Sequence, residues 1–216
     1  MRYCLSVDLG SEHDYTALSI LERVEKLRDN NIDSPNSRPF VREKPVITAE
    51  LYLRYLARVP LKTPYPEIVQ KIKYILNRPK YVQNIALVVD RTGVGLPVIQ
   101  MMYDQGLAPI GISIHGGETV KSSKDHYSVP KRDIITALLT AMYMKRLRIP
   151  PISALPVVKD FKDELANFRM KTDQRTGHDS YEAWLDRVHD DLVMSVAMGV
   201  WWVDRTHGVS TVVENG

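Results

Sequence analysis

"NIALVVD", residues 84–90, is an unbroken apolar run that stops on an aspartate. A strand with one wet face alternates apolar and polar residues. A continuous run is what a strand needs when helices cover both faces. This stretch therefore predicts a central strand in a layered α/β fold. Its neighbours agree. Upstream, "PYPEIVQKIKYILNRP" (64–79) puts Ile68, Val69, Ile72, Ile75 and Leu76 on one helical face. Downstream, "GLPVIQMMYDQGL" (95–107) reads as a short helix with Pro97 in its first turn and Gly106 near its end. "APIGISIHGG" (108–117) follows as another strand.

Further out, "RYCLSVDLG" (2–10) is a strand feeding an Asp-Gly-type turn, and "YTALSILERV" (15–24) is its hairpin partner. Residues 25–45 are polar and rich in Asn, Ser and Pro, the signature of a long exposed loop or ragged hairpin tip. "VITAELYLRYLARV" (46–59) is strand-like at first, through Leu53. Past the central strands, "ETVKSSKDHYSV" (118–129) reads as a loop. It leads to a helix over 130–147, with Ile134, Ile135, Leu138 and Met142 inward. A further amphipathic helix is predicted over 155–168, a hairpin over 169–184 with Gly177 near its tip, and a final helix over 190–204. Strands first, then alternation, then helices, predict one domain: a central mixed β-sheet flanked by α-helices over 1–205, with a tail at 206–216.

Composition is that of an ordinary globular chain, 216 residues with 44% hydrophobic and 25% charged. A net charge of +3 is too small to indicate a nucleic-acid partner, so any basic surface is local. The single cysteine, Cys4, excludes an internal disulfide framework. The longest greasy stretch, 192–203, falls short of the roughly 20 residues a membrane span needs. With Asp8 interrupting any signal-peptide pattern, a cytoplasmic location is expected, in whichever cell makes the protein.

Three acidic positions stand out. Asp8 closes the first strand, Asp90 closes the buried strand, and Asp190 and Asp191 open the last helix. Singly, each has an ordinary structural use: a turn aspartate at 8 or 90, a helix cap at 190 or 191. Two adjacent aspartates exceed what one cap requires. In open α/β sheets, strand ends are where sites are built. Gathered in one mouth, the four carboxylates suit Mg²⁺ or Mn²⁺, hard cations that prefer oxygen ligands. A pair of such ions roughly 3.5–4 Å apart activates water and steadies a leaving oxygen in phosphodiester hydrolysis.

"SVDLG" early, "VVDRTGVG" in the middle and "YEAW...VHDDLVMSVAMGVW" at the end resemble the nuclease domain of phage terminase large subunits, which has the RNase H-like (RuvC-type) fold. "YSVPKRDIITALLTAMYMKRLRIP" resembles the segment between that family's second and third acids. The resemblance covers most of the chain, and "HDDLVMS" is its most specific piece. It implies a metal-dependent endonuclease that cuts double-stranded concatemeric viral DNA during packaging by a two-metal mechanism. It further implies a packaging ATPase module, a portal and a small terminase subunit as partners. By motif, Asp8 matches the first acid and Asp90 the second, while the pair supplies the third, with Asp191 preferred and Asp190 beside it. One departure is that the chain has no G-x-x-x-x-G-K-[ST] phosphate loop. Because the first predicted strand begins almost at Met1, a motor upstream is not expected. The chain is then either a nuclease domain separated from a longer protein or a stand-alone relative.

Basic residues near such a mouth are candidates for phosphate contacts: Lys121, Lys124, Lys131 and Arg132 before and at the start of the 130–147 helix, and Arg169, Lys171 and Arg175 on the expected hairpin. His189 and His115 are expected to be structural. Trp184, Trp201 and Trp202 suit core packing better than base stacking. Alternative readings are an actin- or sugar-kinase-like nucleotide-binding domain, suggested by "VDLGSEHDYT", and a non-catalytic DNA-binding packaging module. A dinucleotide-binding domain is disfavoured by Val98 at the last position of the required G-x-G-x-x-G.

Overall fold

The computed structural model describes residues 1–11, 13–28, 46–93, 95–173, 189–208 and 210–212. Among these residues the chain forms a nine-stranded mixed sheet and five helices. β1 (Tyr3–Asp8), β2 (Thr16–Arg28) and β3 (Val46–Val59) form an antiparallel meander. α1 (Tyr65–Leu76) then leads to β4 (Ile85–Asp90), which lies parallel to β1 on its other side. α2 (Gly95–Asp104) returns to β5 (Ile110–His115), parallel to β4. β6 (Lys121–Ser123) and β7 (His126–Pro130) complete that edge, and α3 (Lys131–Tyr143) follows directly. β8 (Leu147–Arg148), α4 (Val158–Asp173), α5 (Asp191–His207) and β9 (Ser210–Val212) end the chain. The order is β6-β7-β5-β4-β1-β2-β3-β8, with β9 also on β3.

The apolar run of β4 sits between two cores, as its composition demands. Leu87 and Val89 pack with Leu5, Val7, α1 and α2 on one face. Val88 packs with Cys4, Ala17, α3, α4 and α5 on the other. α5 is the most enclosed helix. Leu192 to Val200 are buried without interruption, so its apolar residues run all round the helix. Trp201 is buried, and Trp202 packs at the margin of the same core. Trp184 lies outside the described residues. No helix among them is long and apolar enough to cross a membrane.

Several local expectations are corrected. Residues 121–129, read as loop, form the hairpin β6–β7 together with Pro130, read as the first residue of the helix. The helix expected to reach 147 stops at Tyr143, and Leu147–Arg148 pair with β3 instead. Residues 169–173, read as the start of a hairpin, continue α4; 174–184 lie outside the described residues. Residues 25–28 extend β2, and 29–45 lie outside the described residues. The segment read as a tail from 206 ends α5 and supplies β9.

β3 is a strand throughout, with a bulge. Ile20 pairs with Tyr55 and Leu21 with Leu53, which leaves Arg54 as the extra residue. Before the bulge, Leu51 and Leu53 face the α5 side; after it, Leu56 does. A single inserted residue therefore resets which β3 side chains point inward, and Arg58 falls on the α5 face.

Arg146 ties the end of this layer together. Its guanidinium donates to both oxygens of Asp204 on α5 (3.0 and 2.6 Å) and to the Ala49 carbonyl on β3 (2.9 Å), with the residue 2% exposed. Removing one partner of a buried pair leaves the other charge uncompensated. Arg146→Met is expected to lower unfolding free energy by about 3 kcal/mol, read as an early urea midpoint. An unchanged midpoint would contradict this role.

Candidate active site at the strand ends

Register alone aligns the acids. Asp8 pairs with Ala17, and Ala17 pairs with Arg58. On the other side, Val7 pairs with Val89 in parallel, so Asp8 and Asp90 end neighbouring strands side by side. One row thus crosses the sheet as Arg58, Ala17, Asp8, Asp90. Members of such a row share a face, and it is the face on which α5 lies. The small buried residues Ser6, Ala17 and Ser19 line that face. They let α5 approach closely enough for its first residues to reach the row.

Asp8 and Asp90 lie close enough for their carboxylates to interact electrostatically. Asp90 also accepts the Thr92 N–H on Oδ1 (2.7 Å), and Thr92 Oγ1 in turn accepts the Ile114 N–H (2.8 Å). The turn role expected of Asp90 is therefore real, and it coexists with the approach to Asp8. Gly95 permits this turn, because a Cβ there would stand 2.8 Å from the Asp90 carbonyl oxygen.

Asp190 and Asp191 join from α5. Asp190 occupies the N-cap position but makes no side-chain cap bond; its Oδ2 accepts from Lys131 Nζ (2.9 Å). Asp191 is buried and accepts from Arg58 Nε (2.8 Å). The capping acceptor comes from another helix: Glu164 of α4 accepts the Val193 N–H (3.1 Å) while also contacting Arg58. Sequence reasoning singled out neither Glu164 nor Arg58. The signal for Arg58 lay in the second half of β3, once the bulge is allowed for.

The acids respond as a cluster. Asp8 is held well above the usual carboxylate range by burial, then by the charges of Asp90, Asp190 and Asp191, with Lys131 opposing. Asp90 is raised by burial against its Thr92 hydrogen bonds. Asp191 is raised by burial against Arg58. Burial pushes Glu164 up to about 8 despite the Val193 N–H and Arg58.

Buried acids elsewhere behave oppositely. Glu50 meets Arg148 (2.6 Å), Lys26 (2.8 Å) and Tyr52 (2.7 Å), and these partners, Arg148 foremost, lower it to about 2. Glu22 is likewise lowered by Arg54 and Arg2, which outweigh its burial. Structural acids here carry matching cations, whereas Asp8 is surrounded by acids, as expected where charge awaits a ligand. A depressed folded pKa contributes stability above the unfolded value of 4.5, and that stability is lost as pH falls towards about 2. Glu50→Gln is accordingly expected to melt well below wild type at pH 7 and close to it near pH 2.5. An equal gap at both pH values would contradict this.

The other candidates are more dispersed. Lys121 and Lys124 are exposed on the β6–β7 hairpin. Arg132 donates to the Glu118 carbonyl (3.2 Å) and lies 3.5 Å from Asp133. Arg169 and Lys171 are on α4, and Arg175 lies outside the described residues. His189 packs edge-on against Tyr15 (5.3 Å between ring centroids) with Nδ1 3.8 Å from Asp191. His115 accepts the Gly117 N–H (3.0 Å).

The donor set suits a hard divalent cation: carboxylate oxygens, partly removed from water and repelling one another. As the side chains stand, no group of three or more histidine, cysteine or carboxylate residues among those described is arranged to hold a metal ion. Asp190 and Asp191 are turned to Lys131 and Arg58, which serve as their counter-charges.

No protein-family model matches the sequence, and no curated protein matches it. Solved structures match the fold. The large terminase nuclease of thermophilic phage G20c superposes with a TM-score of 0.53 at 20% identity, over 92% of this chain and 80% of that one. The human cytomegalovirus terminase nuclease domain, in an Mn-soaked crystal structure, gives 0.50 at 11% identity, over 98% and 89%. The chain has the RNase H-like fold of terminase nuclease domains.

Proposed function

We propose that this protein is a divalent-metal-dependent endonuclease that cuts double-stranded DNA during viral genome packaging. The observation that carries this reading is the sheet row that brings Asp8 beside Asp90 beneath Asp190 and Asp191, in a fold shared with terminase nucleases. Asp8, Asp90 and Asp191 are the ligands of two Mg²⁺ or Mn²⁺ ions, with Asp190 alongside. Such ions, when held there, would supply charge neutralisation at a phosphate and a lowered pKa for a bound water. The chain's own part is positional. Two strand ends hold Asp8 and Asp90 rigidly, the buried start of α5 holds Asp191, and Lys131 at the rim gives up Asp190 to meet phosphate. Lys121, Lys124 and Arg132, with Arg169 and Lys171 on α4 and with Arg175, are the proposed contacts to the DNA backbone. A packaging ATPase, portal and small terminase subunit are the partners this role requires, in the host cell cytoplasm.

The test is incubation with supercoiled and linear duplex DNA in Mn²⁺, Mg²⁺ or chelator. Nicked and linear products are expected with either metal and none with chelator. Cleavage indifferent to chelator would overturn the mechanism.

A further inference from the structure

Arg58 stands on the same sheet row as the site's acids, yet it is a cation. Its guanidinium reaches acids on two helices: Nε contacts Asp191 (2.8 Å), Nη2 contacts Glu164, and Nη1 lies 3.9 Å from Asp160. Tyr15 covers its face, 5.0 Å from guanidinium carbon to ring centroid. The side chains of Arg58, Asp191 and Glu164 are 23%, 7% and 6% exposed, so water screens the group poorly.

We propose that Arg58 is a built-in counter-ion of the carboxylate cluster, a positioning residue that neutralises Asp191 in the metal-free protein and so sets how tightly the site takes a divalent cation. This rests on the metal-dependent reading above. The bulge at Arg54 is what turns Arg58 inward, and Glu164 anchors the guanidinium from α4. Asp191 must then share its charge between Arg58 and an incoming ion of the same sign as Arg58. Repulsion between a guanidinium and a divalent ion on one carboxylate is strong at the low effective dielectric of a half-buried site. The site consequently binds metal more weakly than its acids alone would. A purely structural Arg58 implies the opposite: without it, Asp191 would lose its orientation and metal binding would weaken.

The experiment is Mn²⁺ titration of the full chain without DNA, by calorimetry and by the paramagnetic resonance of free Mn²⁺. Wild type is compared with Arg58→Met, Arg58→Lys and the double variant Arg58→Met/Glu164→Gln. Arg58→Met is expected to bind at least about tenfold tighter, and Arg58→Lys, which keeps the charge, to stay within about threefold of wild type. The double variant leaves no unpaired buried carboxylate at 164 and keeps an acceptor for the Val193 N–H. It is expected to tighten as well, and it decides the matter should Arg58→Met alone not fold. Wild-type binding with unchanged or weaker affinity in the Arg58→Met proteins overturns this inference alone. Absence of Mn²⁺ binding by wild type overturns it together with the metal-dependent reading.

Discussion

Asp8→Asn is expected to abolish DNA cleavage while making the metal-free protein more stable. The rate should fall by about a thousandfold or more, roughly 4 kcal/mol of transition-state stabilisation. An amide cannot replace the carboxylate that the proposed metal site requires from β1. The gain in stability follows from the same crowding. Asp8 is raised above its ordinary range by burial and by three neighbouring acids. A raised folded pKa favours the fold below the unfolded value, and that contribution is lost as pH rises through the folded one. The amide does not ionise, so the gap between variant and wild type should open above about pH 4 and widen as the pH rises through the raised Asp8 value. Thermal melts in chelator at pH 4 and pH 8, beside a nicking assay in Mn²⁺, check both halves. Wild-type cleavage, or a variant less stable at pH 8, would contradict the reading of Asp8 as an uncompensated acid. Asp90→Asn and Asp191→Asn are expected to lose cleavage likewise.

Gly199→Leu should damage the fold and the site together. A Cβ at Gly199 would already lie 3.0 Å from Leu21 Cδ1 and 3.3 Å from Ser6 Cβ, where α5 presses on β1 and β2. A leucine adds three more carbons to a contact in which the first already requires its neighbours to give by a few tenths of an ångström. The expected cost is about 4 kcal/mol or more, beyond the roughly 1–3 kcal/mol of ordinary overpacking. If α5 lifts, Asp190 and Asp191 leave the row, so cleavage should vanish even in any folded fraction. Gly199→Ala is the graded control. Its closer packing is offset by about 1 kcal/mol of helix propensity, so near-native stability is expected. Chemical denaturation of both variants reads the series, and a Leu variant as stable as the Ala variant would mean that α5 is not seated as described.

The two results bear on different parts of the molecule that were unequally legible. The β4 run 84–90 placed the central strand, because a strand buried on both faces must be apolar throughout. Helical periodicity placed α1, α2, α3 and α5, though not every end. The β6–β7 hairpin escaped because β6 and its turn are exposed and the partly buried β7 carries no alternation to read. The second half of β3 escaped because the bulge at Arg54 breaks the period on which the reading relied.

The site divides the same way. Asp8, Asp90, Asp190 and Asp191 could be singled out because each sits where an element begins or ends, a local property written in neighbouring residues. Arg58 and Glu164 could not. Arg58 meets Asp191 across 133 positions and Glu164 across 106, and nothing near any of them in the chain announces the partner. The cap of α5 belongs to the same class: two aspartates stood ready at its start, yet Glu164 from another helix accepts the Val193 N–H. Hydrophobic period is set by adjacent residues, so sequence by itself determined the layers and the ends where acids collect. Charge pairing is set by which strands and helices come to lie together, so only the tertiary structure decided which acids are neutralised and by what.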